Sequence, residues 1–189
     1  IANMTRFTDP KAAFDICGCN QLLNQLAHYL GASMDRDGKW AAEGTVNSGI
    51  LRALNDWSYL KRPTPKSLGN HEVTQFYESR LLALSRKPQD LLATAVEHIV
   101  DSIIHELKRN NGLQILLSGG GAHNQFLVKR LREKSPLQDW RIAPNPWVDY
   151  KEAFLMAYMA YRYMKNKNNV FSAWTGGSRD HRGGMLYNP

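Results

Sequence analysis

Gly112–Asn124 reads GLQILLSGGGAHN, and the reading of its middle decides the fold. Ile115, Leu116 and Leu117 form an apolar run bounded by Gly112 and Ser118, too short for a helix. Such a run reads as a buried strand of a parallel sheet. Gly119, Gly120 and Gly121 follow, and Ala122–Glu133 then carries Phe126, Leu127 and Leu131 at helical spacing. The unit is strand, glycine turn, helix. Glycine lets the backbone turn without a Cβ clash and lets a ligand come close. A helix start offers unpaired N–H groups and a positive dipole end, which suit a phosphate. A tight connection with no ligand explains the same residues as well. The spacing is neither a P-loop nor G-x-G-x-x-G.

Outward from this unit, the N-terminal end reads as a second one. Ile1–Phe7 is strand-like, Thr8–Lys11 is a turn containing Pro10, and Ala12–Ile16 is a returning strand. Asp15-Ile-Cys-Gly-Cys-Asn20 closes that strand, and Asn20 is placed to cap a helix over Gln21–Leu30. An Asp at a strand end can hold a hydrated Mg²⁺ or orient a phosphate. It can equally bond the N–H groups of its own turn. Asp35-Arg-Asp-Gly38 resembles the start of a calcium loop, but Val46 stands where the closing Glu belongs, so calcium is rejected.

Asn47 caps a helix over Ser48–Trp57, and Pro63–Gly69 is a loop with two prolines, Lys66 and Ser67. Helices are expected over Glu72–Leu84 and Pro88–Arg109. His98 and His105 fall on or near the polar side of the second of these, seven apart with no third ligand close by. Ordinary histidines explain them better than a metal site. Trp140–Ala143 reads as a strand, and Asp149 as the cap of a helix over Tyr150–Lys165. Its Ala and Met residues read as core packing. Ser172–Pro189 is a glycine-rich basic tail, and no fixed-period repeat occurs.

A chain of 189 residues makes one domain or two small ones. Lys and Arg exceed Asp and Glu, 24 against 17, for a formal charge of +7. The excess suits an anionic ligand, but it is spread along the chain with no basic block, which argues against nucleic acid. Cys17 and Cys19 are one residue apart, too close for an ordinary disulfide or a CxxC metal pair, so a reducing, intracellular setting is expected. No apolar run approaches membrane-spanning length and no signal peptide pattern occurs. The chain opens inside a strand-like segment without an initiator Met, and we expect a piece of a longer protein.

Several motifs, taken in order, resemble one family. They are Ile1-Ala-Asn-Met-Thr5, Phe14–Asn20, Tyr29–Gly44, Pro65-Lys-Ser-Leu-Gly69, Ser118–Asn124, Lys151-Glu-Ala153 and Trp174-Thr-Gly176. The set is similar to the C-terminal half of the anhydro-N-acetylmuramic acid kinases, in the sugar kinase, Hsp70 and actin superfamily. The resemblance implies an α/β fold: one actin-like or ribonuclease H-like lobe, a mixed sheet flanked by helices. Residues 1–189 then form the C-terminal lobe of a two-lobe kinase whose N-terminal lobe is absent from this chain.

The reaction implied is transfer of the ATP γ-phosphoryl group to the anhydro amino sugar, with water opening the 1,6-anhydro bridge. ATP and Mg²⁺ are the implied cofactors, the cytoplasm the implied setting, and a homodimer fits the family pattern. By position, Gly119, Gly120, Gly121 and Asn124 correspond to the nucleotide side. Asp15, Gly18 and Asn20 correspond to the phosphate and Mg²⁺ side, with Asp15 acting through water rather than as a direct ligand. Glu152 corresponds to the sugar side. The family's usual Asp-Thr-Gly-Pro-Gly-Asn reads Asp-Ile-Cys-Gly-Cys-Asn here, with both glycines replaced. Neither the family's first phosphate loop nor its catalytic Asp has a counterpart, so the chain is expected to be inactive alone. The alternative is a non-catalytic actin-like module that binds nucleotide or a protein.

Overall fold

Pro88 opens α5 (Pro88–Leu107), the helix around which the core is packed. Leu91 through Val100 are all buried, so this helix is enclosed on every side. The computed structural model describes residues 1–6, 9–82, 87–107, 112–175 and 177–187. Against α5 pack α1 (Asn20–His28), α2 (Lys39–Glu43), α3 (Ser48–Asn55) and α6 (Gln125–Lys134). α1 buries Leu22, Leu23, Leu26 and Ala27, which fall on one helical face. Asn47 caps α3 as expected, its side chain accepting from Gly49 N and Ile50 N at 3.0 Å each. The Asp35 carboxylate accepts from Trp40 N and Ala41 N, both at 3.0 Å, so it starts α2.

β1 (Ala2–Arg6) and β2 (Asp9–Cys17) form the expected antiparallel pair. Asp9 already pairs with Arg6, so residues 9–11 belong to the strand rather than to the turn. Phe7 and Thr8 lie outside the described residues. β3 (Gln114–Leu117) and β4 (Asp139–Ile142) pair in parallel, joined through α6. The α/β class and the flanking helices hold. Among the described residues the strands stand as two two-stranded sheets.

The helix after the glycines starts later than its spacing predicts. Gly120–His123 is a 3-10 turn, and Asn124 breaks it from α6. Buried Glu97 of α5 accepts two bonds from Arg130, each 3.1 Å, and pairs with Lys134, clamping α6 to the core helix. α4 (Asn70–Tyr77) runs into a π turn over Glu78–Leu82, and Phe76 stacks on Trp57 at 4.1 Å. The end expected at Leu84 lies outside the described residues. So does Arg109, expected to end α5.

α7 (Trp147–Met164) begins before the expected Tyr150, because the Pro144 and Pro146 carbonyls accept from Trp147 N and Tyr150 N. Asp149 therefore sits in its first turn and not at a cap. α8 (Ser172–Thr175) follows in the tail and returns against β2. Among the described residues no helix is long and apolar enough to cross a membrane.

His98 corrects the expectation of a polar face. It is fully buried. Its Nδ1 lies 2.7 Å from Asn55 Oδ1 and its Nε2 3.0 Å from the Tyr77 hydroxyl. Asn55 Nδ2 donates to Asp101 at 2.9 Å, which fixes the amide's orientation. Oδ1 can only accept, so Nδ1 carries the proton and Nε2 accepts from Tyr77. Burial pushes the His98 pKa down to about 4. Both ring nitrogens are satisfied by neighbours, and that is why a histidine fits this core. His105 is exposed.

Candidate functional site

The glycine turn is held from both ends. Gly119 takes φ +81°, a left-handed backbone that favours glycine. Its N–H donates to Val148 O at 3.1 Å, tying the turn to the start of α7. Its carbonyl accepts from Ala122 N at 2.9 Å, and Gly121 O accepts from Asn124 N at 3.2 Å. Among the described residues no acceptor meets the Gly120 or Gly121 N–H, so these two amides remain as donors for an anion. Gly119 has spent its own. Asn124 Oδ1 caps α6 by accepting from Leu127 N at 2.9 Å. Gly38 presses so closely on the Asn124 side chain that a β-carbon there has no room.

The bend after β2 is built on Asp15, which is half-buried. Its Oδ2 accepts from Leu68 N at 2.9 Å and Ser67 Oγ at 3.4 Å. Its N–H donates to Lys66 O at 3.0 Å, and its carbonyl accepts from the Tyr59 hydroxyl at 2.8 Å. One carboxylate oxygen is thus committed to the 66–68 loop, and Oδ1 is the one those bonds leave over. Lys66 anchors that loop. Its side chain is 3% exposed, and its ammonium pairs with Glu106 at 2.9 Å and donates to Leu60 O at 3.1 Å. The sequence marked this loop only by its cation and hydroxyl. Neither Tyr59 nor the Leu68 amide carries a signal that would have found it.

Gly18 is buried, and a β-carbon on it would lie 2.5 Å from Tyr77 Cε2. Packing against Tyr77 is what demands glycine there. Cys17 and Cys19 are free and buried, and burial pushes both thiols up, so they stay protonated. Asn20 is the first residue of α1 and not its cap, and its side chain lies beside the glycine turn. A β-carbon on Gly120 would lie 2.8 Å from Asn20 Nδ2. One on Gly121 would lie 3.6 Å from both Asn20 Oδ1 and Cys19 Sγ. The bends around 15–20 and 118–124 therefore meet.

The first turns of α7 complete this side. His123 Nε2 lies 2.6 Å from Asp149 Oδ1, and Lys151 Nζ lies 3.1 Å from Ser118 Oγ. Glu152 is exposed in the second turn of α7. Among the described residues no group of three His, Cys, Asp or Glu side chains is arranged to hold a metal ion directly. A single carboxylate oxygen fits a cation that keeps its water shell. Chemically, the arrangement offers two backbone donors, one amide and one carboxylate around a single bend pair.

A sequence profile described as anhydro-N-acetylmuramic acid kinase matches residues 1–189. Three curated relatives carry that same name. The one from Sulfurimonas denitrificans is 29% identical, covering 99% of this chain and 54% of the relative. The one from Aliivibrio fischeri is 31% identical, over 94% of this chain and 50% of the relative. The one from Haemophilus influenzae is 33% identical, over 81% and 45%. The chain spans about half the length of the curated relatives it matches. Matched along its whole length, this chain belongs to the anhydro-N-acetylmuramic acid kinase family.

Proposed function

We propose that residues 1–189 form the C-terminal lobe of an ATP-dependent anhydro-N-acetylmuramic acid kinase. The reaction consumes ATP, water and the 1,6-anhydro sugar. Water adds at the anomeric carbon, the bridge C–O bond breaks, and the freed oxygen takes the γ-phosphoryl group. The products are N-acetylmuramic acid 6-phosphate, ADP and a proton. Such a step needs a base for the water and neutralisation of charge at the phosphate. This chain supplies part of the second requirement. The Gly120 and Gly121 amides face the nucleotide, with Asn124 holding the end of the turn. Asn20 and Gly18 shape the phosphate-side bend. Asp15 Oδ1 would hold Mg²⁺ through bound water, and the ion would supply positive charge to the phosphates. Glu152 stands on the sugar side.

The observation that carries this reading is the meeting of the two bends at Asn20 and Gly120. A nucleotide bound at one bend has its phosphates within reach of the other. The base belongs to the half of the relatives that this chain does not span, so the chain alone turns nothing over. The setting is the cytoplasm, where ATP is available. Two measurements test the reading. Calorimetry with ADP is expected to show binding that Mg²⁺ strengthens. An assay of phosphoryl transfer to the anhydro sugar is expected to show no turnover. Turnover without another polypeptide overturns the lobe reading, and absence of nucleotide binding overturns the site.

A second reading rests on Cys17 and Cys19. Both side chains are buried in the bend where the usual family motif has glycine. A non-catalytic actin-like module would show nucleotide binding with no change on adding Mg²⁺.

A further inference from the structure

α7 is apolar round most of its circumference; the chain's own tail meets it at Met159, Arg162 and Tyr163, and most of the rest is exposed. Of its 18 residues only Asp149, Lys151, Glu152 and Arg162 are charged, and Ala153 through Tyr161 carries no charge. Trp147, Tyr150, Phe154, Tyr158 and Tyr161 recur at three- and four-residue spacing and line one side. Leu155 and Met156 fall on other sides. Tyr150 is 63% exposed, Phe154 55%, Met156 57% and Tyr161 57%. Val148 alone in the helix is buried. The aromatic side is already assembled, with Trp147 edge-on to Phe154 at 4.8 Å and Phe154 stacked on Tyr158 at 6.3 Å.

A helix apolar round most of its circumference belongs inside a protein, and so large an exposed apolar surface marks an interaction site. A two-fold contact with a second copy presents one patch to its own image and leaves the other sides wet. Covering the open sides of α7 together needs a larger body than one such patch. The relatives have about as much chain again outside the match, since this chain spans only 54% and 50% of the two named first.

We infer that α7 is the docking element for the half of the kinase that this chain does not contain, and that this half covers the exposed apolar sides of α7 that the chain's own tail leaves open. The identity of the occupant rests on the lobe reading above, whereas the surface rests on α7 alone. The helix is rooted beside the glycine turn through Gly119 N to Val148 O, His123 to Asp149 and Ser118 to Lys151. The docked half is thereby brought over the turn, and the cleft forms where α7 meets it.

The probe is the part of the Aliivibrio fischeri relative that lies outside the match, produced as a separate polypeptide. Sedimentation is expected to show a one-to-one complex with this chain. Phe154→Asp combined with Tyr158→Asp is expected to weaken that complex at least about tenfold, as loss of aromatic anchors does. Both positions are exposed, and unchanged circular dichroism reports that the variant is folded. No complex, or one indifferent to the variant, overturns the inference. So does self-association of this chain that the variant abolishes, which gives the surface to a second copy. Nucleotide affinity of this chain alone is read in parallel. If the complex forms while nucleotide is not bound, the docking inference stands and the functional reading falls.

Discussion

Asn20 and Gly120 belong to different strand-to-helix bends, yet a β-carbon on Gly120 would lie 2.8 Å from Asn20 Nδ2. Two segments a hundred residues apart in sequence thus share one surface. The contact falls on the far end of a polar side chain, which can give way, and that makes it open to test by substitution.

Gly120→Ala is expected to cost about 1 kcal/mol of stability, the scale of a tight overpacking. Combining it with Asn20→Ala removes the obstructing amide and is expected to recover most of that loss. Urea unfolding of the two single variants and the double variant measures the coupling, and strictly additive losses contradict it. Gly120→Val carries the test into function. A folded variant is expected to lose at least about tenfold in nucleotide affinity, because a side chain then stands where backbone must meet the ligand. Unchanged affinity counts against the assignment.

His98 makes stability fall in mild acid. Burial holds its folded pKa near about 4, against an ordinary value of 6.5. Between those values the unfolded chain binds a proton that the folded chain refuses. Its contribution is therefore full above pH 6.5 and is lost as pH falls toward 4. From pH 6.5 down to 5 the loss amounts to about 2 kcal/mol. His98→Gln is expected to flatten this slope. Unfolding midpoints for both proteins across that range decide it, and equal slopes refute the idea.

Lys66→Met is expected to destabilise by about 3 kcal/mol, since it leaves Glu106 without its buried partner and the Leu60 carbonyl without a donor. Adding Glu106→Gln is expected to restore part of that loss. Chemical denaturation measures both. A loss below about 1 kcal/mol would mean that the pair behaves as a surface salt bridge.

Neither cysteine is expected to react with a thiol reagent in the folded protein. Cys17 is 0% exposed and Cys19 7%, and burial raises both thiols above their ordinary range. A colorimetric thiol assay should find both groups only after denaturant is added. Prompt labelling of Cys19 in buffer would show that the bend opens.

The α/β plan was legible because its signals are local. The Ile115–Leu117 run and the three glycines each mark their own element, although the strand is not buried as expected, since Leu116 is 58% exposed. Element ends were less so. Asp149 has the composition of a cap, but two prolines started the helix ahead of it and left it to pair with His123. Asn20 also looks like a cap, but the helix starts at it, and its side chain lies beside Gly120, a hundred residues away. His98 misled because polarity predicts exposure, while Asn55 and Tyr77 meet it from other helices. The support of Asp15 by Tyr59 and the Leu68 amide was hidden for the same reason. A backbone donor has no letter in the sequence.

The parallel pair of β3 and β4 has a consequence for handling the protein. Each strand has four residues and pairs with the other, and among the described residues no further strand pairs with either outer edge. Leu116 and Ile142 are 58% and 45% exposed beside them. Open edges with apolar neighbours recruit further strands. Concentrated solutions of the chain by itself should cloud on standing, and a charge placed at Leu116 should delay it.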